Sequence, residues 1–163
     1  ERHPARYALV ELGNLYDPSL VFEPIHRVVT GVDPGGLVAE MTARLGLSPQ
    51  ERGAQRIGLV APGDGGPRWI TKPSSPLAVG SVQAFLDEYL AARPGGTVDY
   101  IHGEEALREL VGGRGDALGL LLPPMPKEEL FPAVEAGGVL PRKTFSMGHA
   151  RDKRYYLEGR KIR

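Results

Sequence analysis

The spacing of apolar positions along the 163-residue chain changes period several times, and each change marks an element. "RYALVELGNL" (Arg6 to Leu15) alternates Tyr7, Leu9 and Glu11 with Ala8, Val10 and Leu12, which predicts a mostly buried strand. Asp17-Pro18-Ser19 is a turn, because proline presets φ and the short polar side chains bond their own backbone. "LVFEPIHRVV" (Leu20 to Val29) is the second strand. Period-two geometry places Leu20, Phe22, His26 and Val28 on one face and Val21, Glu23, Ile25, Arg27 and Val29 on the other, so His26 points to the core and Arg27 away from it. Pro24 cannot donate a ladder bond, so the strand is expected at an edge or bulged there. "DPGGLVAEMTARLG" then switches to helical spacing: Asp33 caps, Pro34 suits the first turn, Leu37, Val38, Met41 and Leu45 form the stripe, and Gly46 ends it.

"QRIGLVAPG" and "RWITK", joined through "DGG", read as a hairpin. The clearest helix is "SVQAFLDEYLAARPGG", with Ser81 as cap, Val82, Phe85, Leu86, Tyr89 and Leu90 on the stripe, and Pro94-Gly95 as stop. From Val98 to Leu122 the pattern is strand, helix, strand. Its last run, "ALGLLL", is apolar on both faces as central parallel strands are, which predicts a βαβ unit with a right-handed crossover. "PKEELFPAVEAGG" is a short helix interrupted by Pro132, and "KTFSM" and "RYYLEG" are two last strands. The expected fold is α/β: a mixed, partly parallel sheet covered by helices, with a C-terminal antiparallel hairpin. Residues 1–163 form a single domain.

Composition narrows the function classes. Without cysteine there is no disulfide framework, thiolate metal site or cysteine nucleophile, which suits a cytoplasmic protein. No apolar run is long enough to span a bilayer, so no membrane is expected as a partner. The chain opens Glu1-Arg2-His3-Pro4 with a strand following at once, and reads as a piece of a longer protein. A formal net charge of zero conceals an asymmetry. Eight of the 20 basic residues, but only Asp152 and Glu158 of the 20 acidic ones, lie between Arg142 and Arg163, leaving 12 basic against 18 acidic residues before them. That basic end could dock a partner or lie on the protein's own acidic body; the neutral pI of about 7.2 disfavours nucleic acid.

Motifs with a fixed mechanism are missing. "GDGG" and "PGG" lack phosphate-loop spacing and are turns. His3, His26, His102 and His149 have no metal-ligand spacing, so no metal site is expected, and a cofactor is not legible. His102 ends a strand just before a helix, where α/β sheets place ligands, although the residues favour a satisfied loop histidine. No serine elbow or paired carboxylates identify a catalytic group. Two stretches stand out. One is His26-Arg27, because a buried arginine must find a carboxylate, solvent or an anion. The other is "LPRKTFSMG", where Arg142, Lys143, Thr144 and Ser146 gather two cations and two hydroxyls after a proline turn. Both could hold a phosphate or carboxylate; Glu11 or Glu23 could instead pair with Arg27, and a solvated turn would explain the second.

"EPIHRVV", "GDALGLLLPP" and "LPRKTFSMG…DKRYYLEGRKI" together resemble domain-of-unknown-function family 1015, a group of bacterial and archaeal proteins. Its marks here are Pro24, His26 and Arg27, then Pro141, Lys143 and Thr144. Many members continue the second mark as aromatic-Pro-Lys, whereas this chain has Phe145-Ser146-Met147-Gly148, so a second lysine role does not carry over. Members are longer, and their N-terminal part holds a Gly-His-His-Arg-Tyr stretch similar to one in the ParB/sulfiredoxin-like superfamily, which includes free serine kinases. That stretch is absent here, so the resemblance is to the C-terminal part only. It implies a fragment that binds a small phosphorylated or carboxylated metabolite, with phosphotransfer related to serine metabolism as a further analogy. The competing expectation is a non-catalytic binding or assembly domain that docks a protein or nucleic acid through its basic C-terminus. The oligomeric state is not legible.

Overall fold

A computed structural model describes residues 3, 6, 8, 10, 13–53, 55–63 and 65–149. One sheet organises them. Its strands are β1 (Phe22–Thr30), β2 (Leu47–Ser48), β3 (Gln55–Val60), β4 (Gly66–Ile70), β5 (Thr97–His102), β6 (Ala117–Leu121) and β7 (Phe145–Met147). The order across the sheet is β2-β4-β3-β6-β1-β5, with β7 pairing the first residues of β1. Four helices accompany it: α1 (Pro34–Leu45), α2 (Ala78–Ala91), α3 (Glu104–Val111) and α4 (Leu130–Gly137).

Every strand pair is antiparallel, which corrects the expectation of a partly parallel sheet. β5 and β6 do not pair with each other. Both pair with β1, which lies between them, so α3 carries the chain across β1 as a split β-α-β unit. Burial of "ALGLL" on both faces was the misleading signal. It arises because helices cover both faces, and it says nothing about the direction of the neighbouring strand. α3 sits close to the sheet because Gly119 has no side chain: a Cβ there would lie 2.4 Å from Leu107 Cδ2.

The larger core lies between one face of the sheet and α1 and α2, built from Val29, Leu37, Met41, Phe85, Leu86, Leu118 and their neighbours. A smaller cluster of Val28, Leu107 and Val111 lies under α3. Arg27 thus shares the face of Val29 and the larger core, while His26 shares that of Val28, the reverse of the expected orientation. α1 forms as its punctuation predicts, with the Asp33 carboxylate accepting from the Gly35 and Gly36 amides and Gly46 in the left-handed region at φ 64°. α2 starts one turn earlier than expected. Ser81 is not its cap; the hydroxyl folds back to accept from the Ser74 and Ser75 amides, and the N-cap is Leu77, which has no side-chain bond to give.

β1 as a whole is an interior strand, but Pro24 has a ladder partner on one side only, as an edge position would. It pairs with Phe145 where β1 leaves β7 for its interior partners, a changeover that spares a residue without an N–H. Of the strand expected over Arg6–Leu15, the described residues Arg6, Ala8 and Val10 are exposed and belong to no strand, since none joins a ladder. "KTFSM" supplies β7, but against β1; its expected hairpin partner "RYYLEG" lies outside the described residues. Among the described residues no helix is long and apolar enough to cross a membrane.

Candidate functional site

β1 carries His26 and Arg27 in succession, and the two side chains anchor different segments. β6 ends at Leu121, so the Leu122 amide has no ladder acceptor; it donates instead to His26 Nδ1 at 3.1 Å. An imidazole that accepts at Nδ1 is neutral and carries its proton on Nε2. Burial favours that form and lowers the His26 pKa below 6.5; Glu104 opposes the shift, while Arg27 and His102 add to it.

Arg27 is fully buried. Its Nη1 donates to the Ile25 carbonyl and to the Lys143 carbonyl at 2.9 Å, and Nη2 donates to the Arg142 carbonyl at 3.1 Å. Nε and Nη2 both reach Gln83 Oε1 at 3.3 Å. A guanidinium has five N–H donors, and each of them is used here. Among the described residues no carboxylate bonds it directly. The counter-charge arrives through Gln83, whose Nε2 donates to Asp87 Oδ1 at 2.8 Å, and the Tyr100 ring lies 4.9 Å away. Burial pulls the Arg27 pKa down to about 10, against the attraction of Tyr100 and Asp87, so the group is still charged at neutral pH.

Arg27 and the 142–144 turn are therefore brought together, but through main-chain carbonyls. The side chains of Arg142 and Lys143 are exposed; Arg142 pairs with Asp87, and Lys143 holds a left-handed backbone at φ 56°. Thr144 is buried and donates to the Pro141 carbonyl at 2.5 Å. Ser146 is buried on β7 opposite Glu23, and Glu23 bonds His149. His102 is exposed at the end of β5. No group of three or more His, Asp or Glu among the described residues could hold a metal ion.

The segments that His26 and Arg27 anchor border one cleft of about 220 Å³. One wall is Pro123-Pro124-Met125-Pro126, which follows the Leu122 amide held by His26. A second is Thr144, next to the carbonyls held by Arg27. A third is the first turn of α2 from Leu77 to Val79, and Gln55, Arg56 and Glu129 complete the lining. Gly80 lets the Pro141 turn approach that helix: a Cβ there would lie 3.2 Å from Pro141 Cγ and 2.1 Å from Ser75 Oγ.

Two features of the cleft are chemically unfinished. The Ala78 and Val79 amides have no acceptor among the described residues, and Leu77 as N-cap forgoes the ~1 kcal/mol that Ser or Asp would contribute there. The Gln55 amide is buried, with Nε2 donating to the Ser75 carbonyl at 2.6 Å and Oε1 without a partner. Flipping the amide would set two oxygens against each other, so the free acceptor is Oε1. By contrast, a second cavity at the start of α1 already has its helix amides filled by Asp33.

Sequence reasoning missed Gln55 and Gln83. Each had a signal. Gln55 shares the inward face of β3 with Ile57 and Leu59, and Gln83 falls on the α2 stripe between Val79 and Leu86. A polar residue on an apolar face is the informative exception.

The family model described as "Protein of unknown function (DUF1015)" matches residues 1–89, more than half of the chain. The match contains Pro24, His26 and Arg27 and stops before Pro141, Lys143 and Thr144. It thus falls on the N-terminal part of this chain, and does not support a resemblance confined to a C-terminal part. No curated protein and no solved structure matches.

Proposed function

Because the chain belongs to domain-of-unknown-function family 1015, a membership that carries no activity, we propose from the geometry that it binds a small carboxylated or phosphorylated metabolite in the cleft at the start of α2. The observation that carries this reading is the uncapped first turn of α2, which borders the cleft. Free amides at a helix N-terminus favour an anion. Arg27 is a positioning residue in this reading. With its five donors committed to the protein, it holds the walls and leaves the anion to others. The expectation that the basic C-terminus docks a partner concerns Arg142 to Arg163, most of which lies beyond 149 and outside the described residues.

Ala78 is the first residue of α2, and Leu77 before it is extended at ψ 140°, so proline is compatible at position 78. Ala78→Pro therefore removes one donor without breaking the helix. Small carboxylates and inorganic phosphate at about tenfold excess over Kd should stabilise the wild type by ~1.4 kcal/mol. In Ala78→Pro that gain should fall sharply, with unliganded melting little changed. A gain that survives this substitution would place the anion elsewhere.

A further inference from the structure

The neutral imidazole of His26 holds a donor that the fold does not use. Nδ1 accepts the Leu122 amide, so the proton sits on Nε2, and no described residue accepts it. His26 is 6% exposed, yet this donor is not sealed in. Gln55 Oε1 is the one enclosed side-chain polar atom without a partner among the described residues, so solvent reaches Nε2. The ring lies at the start of α3. His102, the last residue of β5, pairs with Ile25, and α3 begins two residues later at Glu104, on the face that His26 shares with Val28 and Leu107. Glu104, Arg27 and His102 are the charges that act on the ring. The N-cap Gly103 has no side chain to give, and a Cβ there would meet nothing within 4 Å. The Glu104, Glu105 and Ala106 amides have no acceptor among the described residues, and Arg108 takes only Oε1 of the Glu104 carboxylate.

We infer that His26 is the donor of a second binding site, at the start of α3, and that this site takes an uncharged carboxamide. The carbonyl oxygen accepts from His26 Nε2–H, and the amide nitrogen donates to the Glu104 carboxylate. The inference is independent of the anion cleft at α2. An anion is the wrong occupant here, because Glu104 and Glu105 repel it and already complement the positive end of the helix. A metal ion is excluded as well, since a protonated Nε2 has no lone pair to give. The Leu122 amide fixes the tautomer that makes Nε2 the donor. A buried polar group pinned through one nitrogen and unpaired at the other is costly unless something meets it.

Acetamide and acetate share a shape and differ in charge. Two-bond proton–nitrogen correlations of the His26 ring in the wild-type protein should show the Nε2–H tautomer. In NMR titrations acetamide should shift the His26 ring and the amides of residues 103–106 saturably. Acetate should need about tenfold or more higher concentration for the same shift, because like charges face it. His26→Asn keeps an acceptor for the Leu122 amide and should lose the acetamide response. The wild-type titration is decisive even if that variant folds poorly. An Nδ1–H tautomer would overturn the inference, and so would equal responses to the two probes. Absence of any saturable acetamide shift would also overturn it, and would mean that water alone meets Nε2.

Discussion

Arg27 and Gln55 are both polar, both buried, and both on the face of the sheet that carries the larger core, yet they end in opposite states. Arg27 brings the harder group to bury, a full charge, and every one of its donors finds an acceptor. Gln55 brings a neutral amide and keeps one acceptor empty. The difference separates structure from candidate function better than residue type does. A charge that is completely satisfied by the fold has nothing left to offer a ligand. A neutral group left half-paired inside the fold costs stability that no bond in the described structure returns.

The comparison breaks most visibly if Arg27 is removed. Arg27→Met keeps volume and apolar stem, but strands the Ile25, Arg142 and Lys143 carbonyls and Gln83 Oε1 without their donor. Removing one side of a buried charged network costs about 3–5 kcal/mol, and the same range is expected here by urea denaturation. Arg27→Lys should recover only part of it, because three rotatable donors cannot replace a planar fork of five. A loss under ~1 kcal/mol for Arg27→Met would show that water supplies those carbonyls and that the node does not hold the 142–144 turn.

Much of this region was legible beforehand, and the reasons differ by level. Helix α1 was readable to its ends because Asp33, Pro34 and Gly46 act locally, through backbone geometry within a turn. The β3–β4 hairpin was readable for the same reason. Strand direction was not, because β1 inserts between β5 and β6 from far away in the chain and no local pattern records that. The pair His26-Arg27 could be singled out, as could the 142–144 turn. What could not be read was that Arg27 reaches that turn through its carbonyls, which every residue possesses and no sequence signal marks. The start of α2 was misplaced because Ser81 looks like a cap and Leu77 does not.

A smaller effect sharpens the contrast on the other side of β1. His26 is held neutral by burial, with its pKa lowered, and accepts the Leu122 amide. The unfolded chain takes up a proton as pH falls through about 6.5, whereas the folded form resists until its own lower pKa. The unfolded state then binds more protons, so stability attributable to His26 is present above that window and is lost as pH falls through it. Asparagine can accept the same amide through Oδ1 and does not titrate. Denaturation of wild type and His26→Asn at pH 7.5 and pH 5 should therefore show the wild type losing more on acidification. Identical losses would mean that groups other than His26 set the acid response.

The smallest effect comes from Arg142, which belongs to the same network as Arg27 but lives in water. Its guanidinium pairs with Asp87, with side chains 59% and 50% exposed. Solvent screens such a pair, and exposed pairs contribute about 0–1 kcal/mol, less at high salt. The contribution that matters from residue 142 is its carbonyl, which any side chain at that position retains for Arg27 Nη2. Arg142→Ala should accordingly cost no more than about 1 kcal/mol, and the difference from wild type should shrink further in 1 M salt. Asp87 keeps its bond from Gln83, so the route of counter-charge to Arg27 survives. If Arg142→Ala instead destabilised the chain as much as Arg27→Met, the surface ion pair would be what holds the turn against α2. The buried guanidinium would then be following the turn's position, not setting it.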